Sequence, residues 1–102
     1  MAEASDVGIV MVVRFRTRLD PEELQRRYRA RMPRFRELPG LVQKHYFHDD
    51  ATDEWGGVYL WESEEAMQGY LTSDLRASIA EAYEVDGTPQ VQVLRVVEDL
   101  RT

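Results

Sequence analysis

The sequence predicts an α+β domain in which one antiparallel sheet of four strands carries its helices on a single side. Three observations point there. A chain of 102 residues holds one core and not two. Three short stretches, centred on Ile9–Val13, Trp55–Trp61 and Val91–Val97, are apolar on both faces and rich in β-branched or aromatic residues. Between them, two segments of helical spacing open on clear capping residues.

The first strand runs from about Gly8 to Arg16. Asp20 then caps a helix, Pro21 suits its first turn, and Glu23 stands where a capping box places its acid. Leu24, Tyr28, Met32 and Phe35 make its buried stripe. Pro33 lies inside that pattern and is expected to kink the helix or end it early. Pro39-Gly40 closes the segment. A second strand follows from about Leu41 to His48, and the acidic turn Asp49–Glu54 joins it as a hairpin to a third. Ser63 caps the next helix, whose inward stripe is Met67, Tyr70 and Leu71. Ser73 caps a further short helix carrying Leu75, Ile79, Ala82 and Tyr83, with Gly87 ending it. The last strand is expected from about Gln90 to Val97, after Pro89.

This order is the ferredoxin-like βαββαβ arrangement, one domain over 1–102 with its ordered core at about 7–98. Helices on one side leave the other sheet face bare, although Val10, Val58 and Leu60 load it. An apolar patch of that size calls for cover, so a sheet-to-sheet homodimer is expected.

Composition narrows the function. There are no cysteines, so thiol nucleophiles, thiolate metal sites and disulfides drop out. Net charge is −6, against general nucleic-acid affinity, even though nine of the thirteen basic residues fall between Arg14 and Arg36. Those arginines read as a solvated helix face balanced by acids, since no aromatic platform accompanies them. No apolar run is long enough for a membrane span. Met1–Asp6 is acidic and lacks the basic start and apolar core of a signal peptide, so a cytoplasmic protein is expected.

The segments Pro39-Gly40-Leu41-Val42-Gln43-Lys44, Gly56-Gly57-Val58-Tyr59-Leu60-Trp61-Glu62-Ser63-Glu64-Glu65-Ala66 and Tyr70-Leu71 resemble the YdhR-type monooxygenases of the dimeric α/β-barrel superfamily. The resemblance runs from Val7 to Val97. It implies a homodimer with a pocket between sheet and helices, and oxygenation of electron-rich phenols without metal or flavin. It also sets Trp61 where such oxygenases carry a pocket tryptophan, and Gly57 where they can place a polar amide.

Alternation along the third strand turns Trp55, Gly57, Tyr59 and Trp61 toward the helices. The same parity on the second strand turns Gln43, His45 and Phe47 inward, and Lys44, Tyr46 and His48 outward. His45 is then the candidate base, with a pKa near enough to neutrality to take a phenol proton. Tyr59 and Trp61 would hold the ring and the developing oxyanion. Trp55, Gly57, Phe47, Met67, Tyr70 and Tyr83 complete an aromatic lining suited to a flat apolar ligand. His48 beside Asp49 and Asp50 reads as a surface turn rather than a metal site. The expected function is a cofactor-independent monooxygenase acting on a small or polycyclic phenol. The alternatives are a module that binds an apolar metabolite unchanged, or a haem-handling enzyme using His45 as axial ligand.

Overall fold

The computed structural model describes residues 7–101; the acidic Met1–Asp6 stretch lies outside them. The elements are β1 (Ile9–Thr17), α1 (Pro21–Arg36), β2 (Leu41–Asp49), β3 (Glu54–Trp61), α2 (Glu64–Leu71), α3 (Asp74–Ala77), α4 (Ile79–Ala82) and β4 (Val85–Arg95). All strand pairs are antiparallel, in the order β2-β3-β1-β4, as the ferredoxin-like reading requires.

Alternation along β1 separates the two faces. Ile9, Met11, Val13 and Phe15 are buried toward the helices, while Val10, Val12 and Arg14 lie on the opposite face, only half covered. Val10 pairs with Leu60 and Leu94, and Val12 with Val58, so the outer face carries a continuous apolar strip. Arg14 sits at its margin, bonded to Asp49 at 2.9 Å and to Glu54 at 3.5 Å.

The caps form as the sequence implies. Asp20 accepts from the Glu23 N–H, Ser63 from Ala66 and Ser73 from Arg76. Three expectations are corrected. Helix α1 does not end early at Pro33 but continues to Arg36. Pro33 and Arg29 are both exposed, so water can satisfy the carbonyl that loses its partner. The segment after Ser73 is two single turns split at Ser78, and it ends at Tyr83 rather than at Gly87. Glu84 turns the chain with φ of 44°. Strand β4 therefore starts at Val85, five residues ahead of the expected Gln90, and contains Gly87 and Pro89. As an edge strand it has no second neighbour to receive the N–H that proline lacks, and an irregularity between Arg14 and Arg16 absorbs the mismatch.

Gly40 fastens the α1–β2 turn to the helix layer. Its φ of 77° suits glycine, its carbonyl accepts from Glu62 N at 2.8 Å, and any Cβ there would strike the Ala66 methyl.

Candidate functional site

The site begins with a slip in β2. Leu41 pairs with Trp61, but Gln43 pairs with Leu60, leaving Val42 as an extra residue in the ladder. One extra residue inverts every side chain after it. Lys44 and Tyr46 thus stand opposite Tyr59 and Gly57 on the helix side, and His45 stands opposite Val58 on the outer face. The expectation that His45 and Phe47 line the pocket is overturned, whereas Gln43, exposed at the strand edge, lines the groove between α1 and β2. His45 is exposed, and Phe47 lies on the outer face with the Arg14 guanidinium 5.2 Å from its ring centre.

Lys44 is what sequence parity missed. Its Nζ lies 3.6 Å from the Phe35 ring centre, 4.3 Å from Tyr46 and 4.4 Å from Tyr59. None of the ion pairs among the described residues includes it. Burial, with Arg31 nearby, lowers its pKa from 10.5 to about 7. Gly57 makes its position possible, because a Cβ there would come within 2.9 Å of Lys44 Cε. The adjacent Leu41-Val42 pair, two apolar residues in succession at a strand start, is the only sequence hint of the bulge.

The remaining candidates fall into two groups. Trp55, Gly57, Tyr59 and Tyr83 line an enclosed space with Lys44 and Tyr46, bounded by β1, α1 and α4. It admits little more than one water molecule, ≈ 20 Å³ counted at water centres. Trp61 and Tyr70 line a separate open hollow beside Gly40 and α2, ≈ 450 Å³ on the same measure. Tyr59 bridges the groups. Its ring stacks on Trp61 at 6.2 Å and 6°, and its hydroxyl lies 3.3 Å from that of Tyr70. Met67 is buried in the core, only 2 % exposed. A third space, ≈ 360 Å³, is a groove between α1 and the β2 edge, with Met32, Phe35 and Arg36 on one wall. Lys44 and Tyr46 belong both to this groove and to the enclosed cavity.

Burial raises the pKa of Tyr46, Tyr59, Tyr70 and Tyr83, which keeps all four as hydroxyl donors at neutral pH. Trp61 Nε1 is buried without a partner among the described residues, while the Tyr83 hydroxyl has the Arg31 guanidinium beside it. The two sides of Tyr59 therefore offer different groups, an unpaired indole N–H toward the hollow and an amine near its titration point toward the groove. No histidine lines any of the three spaces, so the haem reading loses the imidazole on which it relied.

His48 sits apart. Its Nδ1 lies 3.0 Å from Asp50 and its Nε2 2.8 Å from Asp53, and the Asp53 contact chiefly raises its pKa. Among the described residues no group of three His, Cys, Asp or Glu side chains is placed to hold a metal ion. The α1 arginines are largely occupied: Arg26 and Arg27 by Glu23, Arg29 by Gln25, Arg31 by Leu75 O and Ser78. Among the described residues no helix is long and apolar enough to cross a membrane.

A family model described as "Putative mono-oxygenase ydhR" matches residues 10–100. No curated protein matches the chain. Among solved structures, SnoaB, a cofactor-independent oxygenase from Streptomyces nogalater, superposes with a TM-score of 0.74 at 17% identity, over 94% of this chain and 99% of that one. The ActVA-Orf6 monooxygenase of Streptomyces coelicolor, in complex with nanaomycin D, gives 0.72 at 22% identity, over 96% and 95%. A conserved protein from Methanosarcina mazei Go1 gives 0.71 at 14%, over 89% and 94%. At these identities the likeness is one of fold.

Proposed function

Because the chain belongs to the ydhR mono-oxygenase family, we propose that it is a homodimeric, cofactor-independent monooxygenase of small phenolic aromatics. The observation that carries this reading is the aromatic wall of Tyr59, Trp61 and Tyr70, in which the buried Trp61 N–H still lacks a partner. Such a wall favours a flat ring bearing oxygen substituents. Two solved relatives of the fold, one a cofactor-independent oxygenase and one a monooxygenase holding nanaomycin D, agree with it.

The chemistry needs little from the protein beyond binding and charge control. The phenol O–H gives up its proton, and the electron-rich anion passes one electron to dioxygen. The resulting radicals combine in a C–O bond, the ring carbon loses its hydrogen as a proton, and loss of water leaves a quinone carbonyl. One dioxygen is consumed, with one oxygen atom kept and one released as water. Hydroxyl and indole donors aimed at the developing oxyanion lower the barrier.

An oxygen electrode tests this with chelator-treated protein and a series of naphthols, naphthalenediols and anthracenols. Uptake matched by quinone formation is expected, reduced roughly tenfold or more in Trp61→Phe. Stoichiometric binding of the same compounds with no uptake would instead establish the binding module.

The dimer belongs to the same proposal, resting on the outer strip of Val10, Val12, Val58 and Leu60. Leu60→Glu places a charge in that strip without entering the core, and is expected to give folded monomer. Light scattering on the eluting peak checks it. A wild-type protein that already runs as a monomer at micromolar concentration would remove the dimer.

A further inference from the structure

We propose that Lys44 is the base and anion-holding residue of this site, taking the proton of a hydroxyaromatic that enters along the α1–β2 groove and retaining the phenolate as its ion pair. The inference rests on the preceding reading for its substrate class, sets the proton transfer on the Lys44 side of Tyr59, the ring that joins the groove side to the Trp61 wall, and adds the ionisation state in which ligand is held.

Lysines on edge strands ordinarily run their stems over apolar surface and leave the ammonium in water. Lys44 instead ends among three ring faces, at 3.6–4.4 Å from their centres. Aromatic faces partly stabilise a cation but do not replace its hydration or a counter-ion. The charged and titratable groups around it are Arg31, Arg36 and Tyr28 from α1, Tyr46 on its own strand, Tyr59 from β3, Tyr70 from α2 and Tyr83 beyond α4. This set includes no carboxylate. An ammonium in that position lacks an anion, and an anionic ligand would supply one.

The groove leads to it. Lys44 and Tyr46 are shared by the open groove and the enclosed cavity, so a ring lying against Phe35 meets the amine before the interior. The step balances within the site: the substrate O–H bond breaks, an N–H bond forms on Lys44 Nζ, and a neutral pair becomes an ammonium–phenolate pair. In a poorly hydrated setting the two opposite charges stabilise each other, so binding and proton transfer are coupled. Gly57 is integral to this arrangement, because any larger residue would displace Lys44 Cε.

The probe is 4-nitrophenol, whose phenolate alone is yellow, held in buffer slightly below its own pKa. Titrating in wild-type protein is expected to raise the phenolate band, and Lys44→Met to weaken phenolate binding at least tenfold. Gly57→Ala, which leaves the lysine in the chain but pushes its stem aside, is expected to lose most of the same signal, and stands in if Lys44→Met does not fold. Phenolate capture retained by Lys44→Met, uptake of the phenol only in its neutral form, or no binding at all would each overturn the assignment. The optical readout does not depend on oxygen. Phenolate capture without oxygen uptake by any hydroxyaromatic would sink the oxygenase reading and leave Lys44 in place, and uptake undiminished in Lys44→Met would do the reverse.

Discussion

Trp61→Ala is expected to lower stability by about 3–5 kcal/mol, the largest single effect in the molecule. The side chain is 0 % exposed, stacks on Tyr59 and lies 5.5 Å from Tyr70, with Ile9 of β1 opposite it. Removing it leaves a void that the sheet cannot close, because Glu62 N is bonded to Gly40 O just beyond. A domain of this size commonly has about 5–15 kcal/mol in all, so the variant should melt well below the wild type. Trp61→Phe separates the fold from the chemistry. It loses part of the packing, about 1–2 kcal/mol, but it also removes an N–H with no partner among the described residues. Denaturant midpoints of the two variants check the ordering. Equal losses would mean that the indole N–H, not ring volume, is what the core needs.

The second large effect is a pH dependence set by Lys44. In the folded chain its pKa is about 7, against 10.5 for an ordinary lysine. Between those values the unfolded chain holds a proton that the folded chain does not. Stability therefore rises with pH across the window, by at most ~1.4 kcal/mol per pH unit, and falls back as pH drops toward 7. Below that point both states are protonated and the fold carries the full penalty of the poorly hydrated ammonium. The buried tyrosines act in the opposite sense only where free phenols ionise, near 10. Urea unfolding at pH values from about 6 to 9 should show the rising slope in wild type and lose it in Lys44→Met, where only the small opposite fall from His48, whose pKa is raised by Asp53, remains. A wild-type profile that matches the variant's would mean that Lys44 stays solvated and charged.

These effects show where the sequence was readable. The β1 alternation, the Asp20, Ser63 and Ser73 caps and the apolar character of Trp55–Trp61 each depend on neighbours a few residues away, and each appears in the structure. The third-strand candidates Trp55, Gly57, Tyr59 and Trp61 kept their predicted side for the same reason. What failed depended on pairing with a distant strand. Beyond its apolar neighbour Leu41, nothing local marks Val42 as an extra residue, yet it moved His45 and Phe47 out and Lys44 and Tyr46 in. Similarly, Gly87 and Pro89 read locally as breakers, and only their place on an outside strand makes them tolerable in β4. The aromatic inventory was legible, whereas its division between an enclosed cavity and an open hollow was not.

The 2.9 Å approach at Gly57 couples positions 44 and 57 across two neighbouring strands. Lys44 Cε stands near the end of a flexible side chain, so a side chain at 57 redirects the lysine rather than excluding it. Substitutions at the two positions are therefore expected not to add, and the residue at 57 sets where the cation at 44 can rest.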